Sequence, residues 1–225
     1  MKITKRSGFT LIELMLALSF IGILLIATVV TVIHVTHQYS KGVTYKLVNQ
    51  TGRDLGAAIK RDAASVSAVA SPLVQPASNN GELGRLCLGS YSYVWSNPAK
   101  LRDNTATKYA NSDRPVVMAR VPDSGGRYCT AGVTGDYNTI VSLAGVTEML
   151  PSNSGDYAIH EITVDKIAAS GANALPSLYK IAYTIGTNEE DTINSTFRCE
   201  PPANLKSNFD FCAVNRFELM VEAGY

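Results

Sequence analysis

The sequence has almost no net charge: 20 Lys and Arg stand against 19 Asp and Glu in 225 residues, leaving +1. A chain so balanced lacks the electrostatic footprint of a nucleic-acid binder, and no nucleic-acid partner is expected. At 17% charged and 46% apolar residues it is also too apolar to be disordered. Catalytic signatures are missing as well. There is no G-x-S-x-G, no H-E-x-x-H and no phosphate loop. The three histidines are scattered, with His34 and His37 three apart and His160 alone in a strand-like stretch. These absences argue against an enzyme and against a bound cofactor. Four cysteines without a C-x-x-C, and with no histidine near any of them in sequence, argue against a metal centre. No proline occurs before Pro72, and no internal repeat or long low-complexity tract is visible.

What is present is unevenly distributed. The mean hydropathy of +0.05 is high for a chain with this much Ser, Thr and Asn. The excess lies at the start, where 19 of the 25 residues from Phe9 to Ile33 are apolar and the 20 positions from Leu14 to Ile33 carry no charge. A helix of that length spans about 30 Å, the thickness of a hydrocarbon core. Lys2, Lys5 and Arg6 precede it, so the N-terminal end is expected on the cytoplasmic side and the remainder outside the cytoplasm. A secretory signal peptide fits poorly, because its apolar run is shorter and ends in a small-x-small cleavage site. A plain signal anchor leaves Glu13 unexplained. This carboxylate stands among Phe9, Leu11, Ile12 and Leu14 at the edge of the apolar run, where a charge persists only if a partner or a function offsets its cost. The apolar run offers no side-chain cation. A main-chain amine would appear if the chain were cut between Gly8 and Phe9.

The leader Lys5-Arg6-Ser7-Gly8, followed by Phe9-Thr10-Leu11-Ile12-Glu13 and the uncharged run, resembles the type IV pilins and pseudopilins. The resemblance covers the first 30 residues strongly and the next 40 loosely. It implies that a membrane-embedded prepilin peptidase cuts after Gly8 and that the new N-terminal Phe9 is methylated. It also implies that Glu13 neutralises the terminal amine of a neighbouring subunit during assembly. Two ions that are each expensive in lipid become tolerable as a pair, which agrees with that role. Loss of the leader leaves 17 basic side chains against 19 acidic ones, a slightly acidic mature chain. The implied partners are other pilin subunits in a helical filament, the prepilin peptidase, an inner-membrane assembly platform, and membrane lipid before assembly. The implied location is the cytoplasmic membrane as a single-pass precursor with an exported C-terminal part, then a cell-surface pilus. The length, and Arg53, Asp54, Arg61 and Asp62 ahead of the sheet, resemble the larger minor pilins; a secretion or competence pseudopilin is the alternative. Unlike many members, the chain has no helix-bending proline in its apolar half, so only Gly22 or Gly42 could host a bend.

The expected fold is α+β and pilin-like, a long N-terminal helix packed against a C-terminal antiparallel sheet. Residues 1–8 form the leader, 9–33 the membrane-spanning or filament-core helix, 34–71 its amphipathic continuation and 72–225 a β-rich head. Leu47, Val48, Thr51, Leu55, Ala58, Ile59, Ala63, Val66 and Val69 recur in three- and four-residue steps and mark one face of the continuation. Lys46, Arg53, Asp54, Lys60, Arg61 and Asp62 are assigned to the opposite, solvated face. A helix from Phe9 to Ser71 would be about 95 Å long, with Pro72 and Pro76 opening a loop. Strands are expected at Leu86 to Trp95, Val116 to Val121, Tyr137 to Leu143, Tyr157 to Ile167, Leu178 to Ile185 and Phe211 to Val221. Ala144 to Leu150 fits a helical turn or a strand end equally well.

Cys87, Cys129, Cys199 and Cys212 all fall in the exported part, where an even count favours disulfides with three possible connectivities. Sequential pairing, Cys87 with Cys129 and Cys199 with Cys212, is the simplest. The second pair would close a short loop containing Pro201 and Pro202, worth about 3 kcal/mol in the chain-entropy model. It would resemble the disulfide-bounded C-terminal region of many pilins. Glu189, Glu190 and Asp191 gather three carboxylates between two strands and are weak calcium candidates, lacking the spacing of a defined calcium loop. Asn194-Ser195-Thr196 matches a glycosylation acceptor, a pattern too short to carry weight.

Overall fold

A computed structural model describes residues 8–64, 73–75, 77, 83–109, 112–124, 145–150, 157–167, 177–189, 193–194, 196–200 and 211–223. The first element, α1 (Leu11–Ala63), is one uninterrupted helix of 53 residues, about 80 Å at 1.5 Å per residue. It starts at Thr10, whose extended backbone and side-chain acceptor make it the N-cap. Lys60 and Arg61 occupy the last turn, where cations complement the carbonyl end of the helix dipole, and Ala64 caps it. The helix therefore ends before the expected Ser71. Residues 65–72 lie outside the described residues, with Val66 and Val69 among them.

A short strand β1 (Leu73–Gln75) stands where the prolines suggested only a loop. The expected single strand Leu86 to Trp95 is a hairpin of β2 (Gly84–Cys87) and β3 (Tyr91–Trp95). Gly89 turns it, with a φ of +76° that a side chain would resist. A helical turn missed in the sequence, α2 (Pro98–Arg102), follows; Asn97 caps it and Pro98 presets its first φ. Then come β4 (Met118–Pro122) and β5 (Thr147–Leu150), so the undecided stretch ends as a strand. The expected strand Tyr137 to Leu143 lies outside the described residues. Strands β1 to β5 form one antiparallel sheet in chain order.

The second sheet is antiparallel too, in the order β6 (Tyr157–Ile167), β7 (Ser177–Thr187) and β8 (Val214–Ala223). Its pairings run Ile162 with Tyr183 and Tyr183 with Phe217, placing these three on one face. That face meets α1. Tyr183 donates to the Gly52 carbonyl at 2.8 Å and stacks on Phe217, with ring centroids 5.3 Å apart. Val48, Leu55, Ile59 and Ala63 from α1 join Ile181, Ile185 and Val221 from this sheet and Leu86, Tyr93, Trp95 and Met118 from the other in one core. A smaller cluster of Leu83, Val94, Val116, Ala119 and Val121 lies behind the five-stranded sheet. The fold is α+β, with the long helix packed on antiparallel sheet. It places the whole apolar half of α1 away from the head.

Candidate functional site at the N-terminal helix

The first helical turn is built by a reciprocal pair. The backbone N–H of Glu13 donates to Thr10 Oγ1 at 3.3 Å, while the Glu13 carboxylate accepts from the Thr10 N–H at 2.9 Å and from its hydroxyl at 2.8 Å. Such a capping box satisfies donors that would otherwise be orphaned at a helix start. Both contacts with the carboxylate use Oε2, so Oε1 makes no hydrogen bond among the described residues. Phe9 stands just outside the cap, 83% exposed, and Gly8 before it has open space around its α-carbon. Phe9 thus lies about one turn before Glu13, with Gly8 next to it. Lys2, Lys5 and Arg6 lie outside the described residues.

From Leu11 onward the helix is long and apolar enough to cross a membrane, and its apolar stretch is exposed and packs on no other element among the described residues. Leu16, Leu18, Phe20, Ile21, Ile23 and Ile26 are exposed around its circumference. The hydroxyls of this stretch are satisfied within the helix. Ser19 donates to the Met15 carbonyl at 2.9 Å, and Thr28, Thr31 and Thr36 donate to Leu25, Ala27 and Val32 at 2.8 Å each. That is the arrangement a waterless surrounding demands, because an unpaired hydroxyl there has no solvent to turn to. At the upper end, His34 Nε2 lies 3.0 Å from the Gln38 amide.

The second half of the helix is tied to the five-stranded sheet by a buried ion pair that the sequence reading misplaced. Asp62 is 3% exposed, on the packed side of α1 rather than the solvated one. Its carboxylate accepts from Arg120 Nε at 2.6 Å, from Arg120 Nη2 at 2.9 Å and from the Tyr93 hydroxyl at 2.6 Å. The Arg120 guanidinium in turn covers the Tyr91 ring, 3.3 Å from its centroid. Burial pushes the Asp62 carboxyl up, but the Arg120 and Tyr93 hydrogen bonds and the Arg120 charge outweigh it and hold it below the ordinary carboxylate range. Burial and the Asp62 carboxylate push the Tyr93 phenol well up, so it stays a donor. The signal was legible in one respect: Asp62 falls three residues after Ile59 and seven after Leu55, on their stripe. Leu47 shows the reverse error, since it was assigned inward and is 44% exposed.

Among the cysteines, Cys199 and Cys212 form a disulfide with Cα atoms 5.9 Å apart, closing the C-terminal loop. Cys87 is disulfide-bonded as well, and Cys129 lies outside the described residues. Of the calcium candidates only Glu189 is described; Glu190 and Asp191 are not. Glu189 is half-buried at a small cavity of about 150 Å³ with Thr44, Tyr157, Thr187 and Phe211. No group of three or more His, Cys, Asp and Glu suited to a metal occurs among the described residues. His160 is the extra residue of a bulge in β6, and its Nε2 lies 3.0 Å from the Thr187 carbonyl. Burial holds its imidazole below the ordinary pKa.

A long apolar N-terminal helix whose upper half is packed on antiparallel sheet is a pilin-like architecture. The chain matches no protein-family model, no curated protein and no solved structure.

Proposed function

We propose that the chain is a structural subunit of a type IV pilus, cut between Gly8 and Phe9 and built into a filament through its N-terminal helix. One observation carries the reading. A solitary carboxylate, Glu13, stands at the edge of the uncharged and exposed apolar stretch of α1, about one turn from Phe9. Cleavage there would place a new amine at Phe9, within reach of such a carboxylate on an adjacent chain. The free Oε1 is the atom available to receive it. In lipid or in a filament core the two charges would offset each other's desolvation, and exposed Leu, Ile, Val and Phe would be covered by the same residues of neighbouring subunits. A pseudopilin of a secretion or competence system would use the same segment in the same way. The two readings separate on shearing: the chain should appear in filaments released from the cell surface. Complete retention with the cell membrane would favour the pseudopilin.

A further inference from the structure

Between its apolar stretch and the head, α1 has a bare collar. No residue from His34 to Val43 is buried, and Val48 is the first buried position of the helix. The collar is about 15 Å long at 1.5 Å per residue. His34, His37, Gln38 and Lys41 follow one another in three- and four-residue steps, so they share one side of it. With Val30 and Ile33 they line an open groove of about 560 Å³, and His34 Nε2 lies 3.0 Å from the Gln38 amide.

The order of charges along α1 gives the groove its sign. No Lys or Arg occurs between Arg6 and Lys41, and no Asp or Glu between Glu13 and Asp54. Lys41 is therefore the first side-chain cation above the apolar stretch, and its own helix brings no acid within three turns of it. Depth points to the partner. The uncharged residues Leu14 to Ile33 match a hydrocarbon core of about 30 Å, and with headgroups a bilayer measures about 40 to 45 Å. His37 and Gln38, about 6 to 8 Å beyond Ile33, then stand at the level of the headgroups. Lys41 is about 12 Å beyond Ile33, but helical side chains lean toward the N-terminus, so its long stem leads back down the groove toward lipid.

We infer that the side of the collar formed by His34, His37, Gln38 and Lys41 holds the phosphate of an anionic phospholipid in the leaflet nearest the head. An ammonium, an amide and imidazole N–H groups all donate to phosphate oxygens, and no carboxylate on this stretch of helix opposes them. A zwitterionic headgroup carries a cation of its own, which Lys41 would repel. Tyr39, 73% exposed on another side of the collar, stands at the same depth, where tyrosine rings favour the interface. Held in this way the helix keeps one depth and one rotation about its axis, and the lipid must be released before the apolar stretch leaves the membrane. The inference rests on α1 crossing a membrane, as in the reading above, and adds the lipid class and the residues that hold it.

Native mass spectrometry of the full-length chain in detergent tests it, with phosphatidylglycerol and phosphatidylcholine of matched acyl chains offered in equal amounts at neutral pH. The parent chain should retain phosphatidylglycerol about fivefold over phosphatidylcholine, the preference one cation confers at an anionic surface. His34→Gln, His37→Gln and Lys41→Gln together should bring the ratio to about one. All three positions are exposed, so the helix should persist, and an unchanged circular dichroism spectrum checks it. Lys46→Gln, about 20 Å beyond Ile33 and clear of the headgroups, should leave the ratio as it was. Equal retention of both lipids by the parent would overturn the clamp, and so would a preference that survives in the triple variant or is lost with Lys46→Gln. Excess inorganic phosphate separates the two sources of the ligand: it should leave the lipid in place, and displacement would overturn the assignment to lipid. Reconstitution into vesicles of either lipid keeps the two readings apart. A chain that inserts yet shows no preference overturns the clamp alone, and one that inserts into neither overturns the membrane reading with it.

Discussion

Glu13 has two physical roles within one side chain, and substitutions separate them. At the third helical position, closing the capping box, it satisfies the Thr10 N–H, and as a charge it can meet a neighbour's amine. Glutamine retains the capping oxygen and loses the charge; valine loses both. Glu13→Gln should therefore keep the helix start intact yet fall out of sheared filaments as completely as Glu13→Val, which should in addition fray the first turn by about 1 kcal/mol. Normal incorporation of the Gln variant would show that the carboxylate serves its own helix alone. Asp62 gives a stability prediction. Its folded pKa is depressed, so its contribution is fully present above the unfolded value near 4 and is lost as pH falls through the lower folded value. Unfolding of the detergent-solubilised chain should show acid destabilisation below about pH 4 that Asp62→Asn reduces. Asp62→Ala should cost about 3 to 5 kcal/mol by stranding Arg120. The sequence made Glu13 visible because a charge in an apolar run is rare. It hid Asp62 because a buried carboxylate on a helix reads as a solvated one until its arginine, 58 residues away, is placed beside it.

Among the elements, α1 and β6 were the most legible, because each is a long run with a dominant period, although α1 ends at Ala63 instead of the expected Ser71. β6 occupies Tyr157–Ile167 as expected. The hairpin inside Leu86 to Trp95 was not visible, because its turn is carried by Gly89 within a run that reads as continuous strand. The packed side of α1 was read from apolar spacing and so passed over Gly52, which is buried for a different reason. A Cβ at Gly52 would run into the Phe217 ring, so the helix and β8 approach as closely as they do only with glycine there. Gly52→Ala should lower the stability of the solubilised monomer by about 1 to 3 kcal/mol despite alanine's better helix propensity. Gly42 has nothing within contact distance of an added Cβ, and Gly42→Ala should stabilise by up to about 1 kcal/mol. Denaturant titration of both variants checks the contrast, and equal effects of either sign would contradict it.

At the scale of the whole molecule, the near-zero net charge and mean hydropathy average over unlike parts. One part is an apolar helix with no packing partner among the described residues; the other is a head with a packed core and a cystine. So much uncovered apolar helix is long enough to cross a membrane, and the proposed filament account places it first in lipid and then among copies of similar helices. That account depends on one covalent event, removal of residues 1–8, since without it Glu13 has no amine to meet. The most direct test is mass spectrometry of the N-terminal peptide of the chain recovered from sheared surface filaments. The account predicts a peptide beginning at Phe9, carrying one methyl group on its amine. A chain that still begins at Met1, or one that begins beyond Ile33, would contradict it.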